Sequence, residues 1–348
     1  MKKIRMAFFA LATLALLATS TACGGGGGGG SDDDDATPVA ESGSTGGSES
    51  DSSESGTGNT STGSGNGSTS TSIPAGFVAV PGATFTGETA ITGSRVFIAG
   101  RTVTIPSLLV CDHEVTQAEY KSVMKINPSC FSWAPANGET QANRPVEQVS
   151  WYDALVYCNK RSIAEGRTPC YKIGGKDNPS EWGSVPEDPE DSNSTWNTAT
   201  CDFAAGGYRL PTEAEWEYLA RGGNLTNSGQ TTYSGSNTIG DVAWYKVNAN
   251  DVGTSSPNYG THQVKTKNPN GKTLYDMSGN VCEWCWDWNG SISTSTLSSG
   301  AASGSSRVLR GGGWNDGASL CTVSYRYGYN PNIRYDYIGF RVVCSRSE

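Results

Sequence analysis

From Gly24 to Ser72 the chain is almost entirely Gly, Ser, Thr, Asp and Glu, beginning with seven consecutive glycines and continuing through Asp32–Asp35. So few apolar side chains cannot offset the entropy lost on ordering, and the segment is predicted to be a flexible tether over residues 24–72. Its root-mean-square reach is on the order of 40 Å. Folding is thereby confined to residues 73–348, near the upper limit of one domain and ample for a sizeable core.

Residues 1–23 join a basic start (Lys2, Lys3, Arg5) to an apolar stretch from Met6 to Leu17 and small residues before Cys23. That is the pattern of an export signal, too short and wrongly flanked for a spanning helix. Ser20, Thr21 and Ala22 ahead of Cys23 resemble a bacterial lipobox. The resemblance implies lipidation at Cys23 and attachment to the bacterial membrane; with Gly24 giving no strong inner-membrane retention signal, the outer membrane and cell surface are the expected place, though the sequence does not name the leaflet.

The formal net charge is −9, and beyond the signal Lys and Arg form no basic stripe. Nucleic acid is therefore not an expected partner. Setting Cys23 aside leaves nine of the ten cysteines: Cys111, Cys130, Cys158, Cys170, Cys201, Cys282, Cys285, Cys321 and Cys344. An odd number leaves at least one thiol without an internal partner, and spacing does not reveal the pairing. Cys282 and Cys285 look like half of a zinc site, but no second CxxC or His pair accompanies them.

Helix signals are few. Thr116 with Glu119, and Thr212 with Glu215, fit the capping box, in which hydroxyl and carboxylate each take a backbone N–H of the first turn. The first predicts a helix to about Met124; the second runs through Trp216 and Leu219 to a terminating Gly222. A third is predicted from Ser150 as cap to about Ala164. Short strands are expected at Phe77–Val80, Arg95–Ile98, Thr102–Ile105, Val308–Arg310 and Ile338–Val343. Few helices, short strands and long Gly/Asn/Ser loops make an α+β, loop-rich domain.

Six stretches in order, EVTQAEY (Glu114–Tyr120), RPVEQVSWYDALVYCN (Arg144–Asn159), YRLPTEAEWEYLARGG (Tyr208–Gly223), LYDMSGNVCEW (Leu274–Trp284), RVLRGGGW (Arg307–Trp314) and IGFRVV (Ile338–Val343), resemble the formylglycine-generating enzyme, or sulfatase-modifying factor, family. The resemblance implies a C-type-lectin-like fold. It also implies a test for copper chemistry, since the family's enzymes oxidise a sulfatase cysteine with copper held by two cysteines after an RGGS motif. Here the serine position is Gly313, the first cysteine position is Asp316 and the second is Cys321. One carboxylate and one thiolate suit Cu(I) poorly, so copper is not expected and catalysis by that route is the lesser reading. By the same resemblance Asp276, Gly279, Val281 and Glu283 match a calcium site. Two carboxylates and two backbone carbonyls are hard oxygen donors of the kind calcium takes.

The segment 314–341 resembles a different branch of the family, the variable proteins of diversity-generating retroelements, treponemal variable lipoproteins among them. In such systems adenines of AAC or AAT codons are altered, which never yields Trp, Lys, Glu, Gln or Met. The candidate variable, ligand-binding positions are Asn315, Asp316, Gly317, Leu320, Tyr325, Tyr327, Gly328, Tyr329, Asn330, Ile333, Tyr335, Asp336 and Tyr337, and every one is reachable. Trp314, Ser319, Arg326, Pro331, Arg334, Ile338, Gly339, Phe340 and Arg341 are assigned to a fixed frame between them.

Five tyrosines among the thirteen residues from Tyr325 to Tyr337 suit such a role, because Tyr offers wide contact area at small entropic cost. The competing reading is a strand whose alternating Tyr325, Tyr327 and Tyr329 pack one core face. Only His113 and His262 are available for histidine chemistry, His113 has no partner histidine at metal spacing, and no GxSxG marks a hydrolase. Trp284, Trp286 and Trp288 are expected in the core rather than as a sugar platform. The function expected is binding of a protein or glycan ligand without catalysis.

Overall fold

The computed structural model describes residues 73–187 and 194–346; the segments predicted as export signal and tether, with Cys23, lie outside the described residues. The strands are β1 (Phe77–Val80), β2 (Ala83–Phe85), β3 (Val103–Ile105), β4 (Leu108–Cys111), β5 (Tyr171–Lys172), β6 (Thr200–Cys201), β7 (Cys282–Trp288), β8 (Arg307–Arg310), β9 (Arg326–Tyr329), β10 (Ile338–Gly339) and β11 (Val343–Ser345). The α-helices are α1 (Gln117–Met124), α2 (Trp151–Ala164), α3 (Ser194–Asn197), α4 (Glu213–Ala220) and α5 (Ile239–Val242). No helix among the described residues is long and apolar enough to cross a membrane.

Three helices start where their caps dictate. Thr116, Ser150 and Thr212 each accept a hydrogen bond from the N–H of Glu119, Asp153 and Glu215, and each of those carboxylates accepts from the cap's own N–H. Such boxes satisfy two orphan donors at once. Gly222 follows α4 with φ +64°, the left-handed turn that glycine adopts without a Cβ penalty.

The sheets place the C-terminal segment. β1, β4 and β11 form one antiparallel sheet; β10, β7, β8 and β9 form another, with β10 parallel to β7 and the rest antiparallel. The predicted Ile338–Val343 strand is therefore two strands in two sheets. Between them Val115 N–H donates to Phe340 O at 2.9 Å and Cys111 N–H to Val342 O at 3.0 Å. Phe340, Arg341 and Val342 are buried in the crossing. Arg95–Ile98 is not a strand, because Ser94 Oγ accepts from both Val96 N and Phe97 N and turns the chain, so that these neighbours are both buried.

Two apolar clusters make most of the core. One gathers Trp151, Tyr157, Trp284, Ile338 and Phe340, the other Phe97, Val110, Trp216, Leu219 and Val308. Each fully buried side chain of this size contributes about 1.5–3 kcal/mol over its exposed state. Two arginines inside the core are paired with carboxylates: Arg209 grips Glu215 at 2.6 and 2.8 Å, and Arg310 meets Glu217. Unpaired, any of these charges would be strongly destabilising.

Candidate functional site

Strand β9 lies at the edge of its sheet, hydrogen-bonded to β8 with Tyr327 opposite Leu309 and Tyr329 opposite Arg307. Alternation puts Tyr327 and Tyr329 on one face. Gly328 takes the other, where a Cβ would stand 2.7 Å from Asn289 Cβ. The chain returns through residues 330–337 and brings two further tyrosines onto that face. The Tyr327 and Tyr329 rings are 4.8 Å apart, Tyr329 and Tyr335 5.4 Å, and Tyr335 and Tyr337 stack at 5.2 Å. Tyr327 is 46% exposed and Tyr335 39%, while Tyr329 and Tyr337 are half-buried against the core. Burial pushes the Tyr329 hydroxyl up to about 12, so this phenol stays protonated at neutral pH. Tyr325 precedes β9 and lies outside these ring contacts; its carbonyl accepts from Arg310 at 2.6 Å.

Backbone contacts hold this surface in place independently of its side chains. Pro331 O accepts from Trp151 N–H at 2.9 Å, Tyr335 O from Gln148 N–H at 3.0 Å, and Tyr337 O from Cys282 N–H at 2.7 Å. Asp336 O takes the Trp314 indole at 3.0 Å. None of the thirteen candidate positions is buried; Asn315, Asp316, Gly317, Leu320, Asn330, Ile333 and Asp336 are all half-buried. At Gly317 a Cβ would meet no atom within 4 Å. Of the frame residues, Trp314, Pro331, Ile338, Gly339, Phe340 and Arg341 are buried, and Ser319 is exposed. Arg326 is clamped by Glu213 at 2.7 and 2.9 Å, and Arg334 by Asp153 at 2.8 Å.

Asp316 turns inward. Its Oδ2 accepts from Gly313 N–H at 2.9 Å and from the Cys282 thiol at 3.4 Å. Cys282 is a neighbour that spacing alone did not reveal. Cys321 is buried and directs its thiol at Gly317 O, 3.6 Å away. Burial, reinforced by Asp316, pushes both thiols well above their ordinary range and keeps them protonated. At the two matched positions the donors are one carboxylate and one thiol, a harder pair than the two thiolates that suit Cu(I).

The residues matched to calcium meet around a buried turn in which Asp276 has φ +55°. Asp276 Oδ2 accepts from Lys265 N–H at 2.8 Å, while its Oδ1 is buried without a hydrogen-bond partner. Burial pushes the Asp276 carboxyl up to about 6. A buried carboxylate oxygen without a partner is the kind of donor a hard cation takes. Glu283 is otherwise engaged: each oxygen already holds two donors, from Arg341 at 2.6–2.9 Å and Trp216 at 2.8 Å. It can join a cation only by releasing one of them.

Residues 64–346 match the sulfatase-modifying factor enzyme 1-like domain, a span that begins inside the Gly/Ser-rich segment. The chain belongs to this family. It is 36% identical over 282 residues to "Chaperone protein LppX" of Paenibacillus barcinonensis, covering 75% of this chain and 92% of that one. Similarity to the formylglycine-generating enzyme of Streptomyces coelicolor is 36% over 164 residues, covering 42% of this chain and 50% of the enzyme. The chain thus spans about half of that enzyme's length. Among solved structures, Treponema denticola variable protein 1 superposes with a TM-score of 0.66 at 38% identity, covering 78% of this chain and 95% of that one. The fold is the loop-rich α+β, C-type-lectin-like fold of the sulfatase-modifying factor family.

Other residues singled out in this family member have structural surroundings. Trp284 is buried with its indole donating to Val149 O at 3.0 Å, Trp286 stacks on Tyr171, and Trp288 lies 3.4 Å from the buried Arg307 guanidinium. Cys282 and Cys285 fall in separate apolar clusters. His262 stacks on Trp244 at 3.5 Å and contacts Glu139 at 2.7 Å. His113 is different: it lies among Cys111, Asp112 and Glu119, partners other than the second histidine that sequence spacing lacks. The legible signal was Cys111 and His113 two residues apart, with Glu119 in the first turn of the helix that Thr116 caps.

Proposed function

We propose that this protein is an exported, lipid-anchored binding protein whose C-terminal surface, residues 315–337, takes protein or glycan ligands and performs no chemistry on them. The observation that carries this reading is the four-tyrosine surface of Tyr327, Tyr329, Tyr335 and Tyr337, whose backbone is tied to fixed elements. A rigid scaffold with exchangeable side chains permits diversification without refolding, and tyrosine suits opportunistic recognition. The similarity to Treponema denticola variable protein 1 supports a variable surface. The Asp316 carboxylate at the first copper-ligand position favours binding over cysteine oxidation.

The deciding experiment is genomic. A near-copy of the codons for Trp314–Arg341, differing only where it carries adenine and lying beside a reverse-transcriptase gene, is expected. Sister strains with fixed codons at all thirteen positions would remove the diversified-surface reading.

A second reading is favoured by the 36% identity to a protein named a chaperone, over 92% of its length. In that case the same tyrosine surface holds a partly unfolded client. Suppression of aggregation of a heat-unfolded secreted enzyme, lost on replacing Tyr327 and Tyr335, would identify it.

A further inference from the structure

Strand β4 ends at Cys111 and the chain bends at Asp112 and His113, which brings the His113 ring within 3.7 Å of Cys111 Sγ. Glu119 meets them from the first turn of α1, where the Thr116 cap pins its carboxylate at 2.9 Å. Cys111 Sγ is 3.9 Å from His113 Nε2, and Nε2 is 3.4 Å from Glu119 Oε2. One donor atom from each residue lies within 4.8 Å of the other two. Zinc bonds to sulfur and nitrogen at a tetrahedral angle place donors about 3.3–3.6 Å apart, so a small contraction would close these three on an ion.

The surroundings complete the pattern. His113 Nδ1 contacts Asp112 Oδ1 at 2.5 Å, and Asp112 Oδ2 is held by Lys265 Nζ at 2.7 Å. A carboxylate on Nδ1–H is the device that orients metal-bound imidazoles and leaves the Nε2 lone pair for the metal. A cavity of about 420 Å³, lined by His113, Thr116, Glu119, Gln263 and Lys265, borders the site and gives room for a water at a fourth position.

We propose that Cys111, His113 and Glu119 bind one borderline-soft divalent cation of the zinc type, with Asp112 as the positioning residue and water as the fourth ligand. A thiolate, a neutral imidazole and a carboxylate are donors zinc accepts, whereas calcium and magnesium prefer all-oxygen sites. Binding displaces the Cys111 thiol proton and any proton on His113 Nε2 to solvent, and no other bond changes. The ion would tie β4 to α1, and its presence does not depend on the ligand-binding reading. The competing occupant is a proton, with His113 as an imidazolium between Asp112 and Glu119 and no affinity for metal.

The test is titration of the chelator-stripped protein with Zn²⁺ and with Co²⁺. Expected are one equivalent bound, proton release, and a thiolate-to-cobalt charge-transfer band. Cys111→Ser should remove the band, His113→Ala the binding, and Asp112→Asn should weaken affinity by about 10–100-fold. Cys282→Ser should change nothing. A wild-type protein without the band overturns the proposal with no variant needed, as does binding that survives His113→Ala. If those variants do not fold, unchanged zinc affinity in both Asp112→Asn and Glu119→Gln overturns it equally.

Discussion

The phenol oxygens of Tyr329 and Tyr337 lie 3.0 Å apart, joining edge strand β9 to the segment that returns eight residues later. This contact divides the tyrosine surface into an inner pair packed on the core and an outer pair, Tyr327 and Tyr335, facing solvent. Stability and recognition should therefore separate by residue.

Replacing Tyr327 and Tyr335 together with Ala is expected to change unfolding free energy by less than about 1 kcal/mol while abolishing ligand binding. Tyr337→Ala removes a half-buried ring and should cost about 2–4 kcal/mol. Urea unfolding of the variants distinguishes the pairs; equal losses for both would favour a core strand.

Glu283 and Arg341 form a buried pair, both with negligible exposure. Glu283→Gln leaves the guanidinium uncompensated and should destabilise by about 3–5 kcal/mol with or without calcium. Asp276→Asn should cost less, yet remove any calcium-dependent rise in unfolding temperature. No calcium-dependent rise in the metal-stripped wild type would count against a calcium site at Asp276.

Two buried carboxyls with strongly raised pKa values contribute to the pH dependence. Burial, aided by Glu213, pushes Asp287 up to about 8, and burial likewise pushes Glu147 up to about 8. The folded chain then keeps protons that the unfolded chain releases above its ordinary carboxylate range. Their stabilisation is present below about pH 4 and is lost as pH rises through about 8. The unfolding temperature should fall between about pH 5 and about pH 9, and Asp287→Asn should flatten that slope. An unchanged slope would mean that Asp287 ionises normally in the fold.

At the copper-ligand positions the wild type should neither hold Cu(I) through Cys321 nor convert a cysteine peptide to an aldehyde. Asp316→Cys supplies the second thiol and should raise Cu(I) affinity. Cys321-dependent copper binding by the wild type would end the non-catalytic reading.

Local chemistry was legible in the chain itself. The capping boxes at Thr116, Ser150 and Thr212 each close within three residues, so three helices could be placed almost to the residue. The family also shows in short ordered stretches. What only tertiary structure decided depends on partners distant in sequence. Residues 338–343 split between two sheets because their hydrogen-bond partners are β7 and β4. Asp316 meets Cys282 across 34 residues, and His113 meets Glu119 only because a helix turns back on a strand end. Which tyrosines face water follows from the return path of 330–337, held by carbonyls that donors on distant elements reach. Periodicity assigns a side chain to a face; only the packing of other elements determines whether that face is covered.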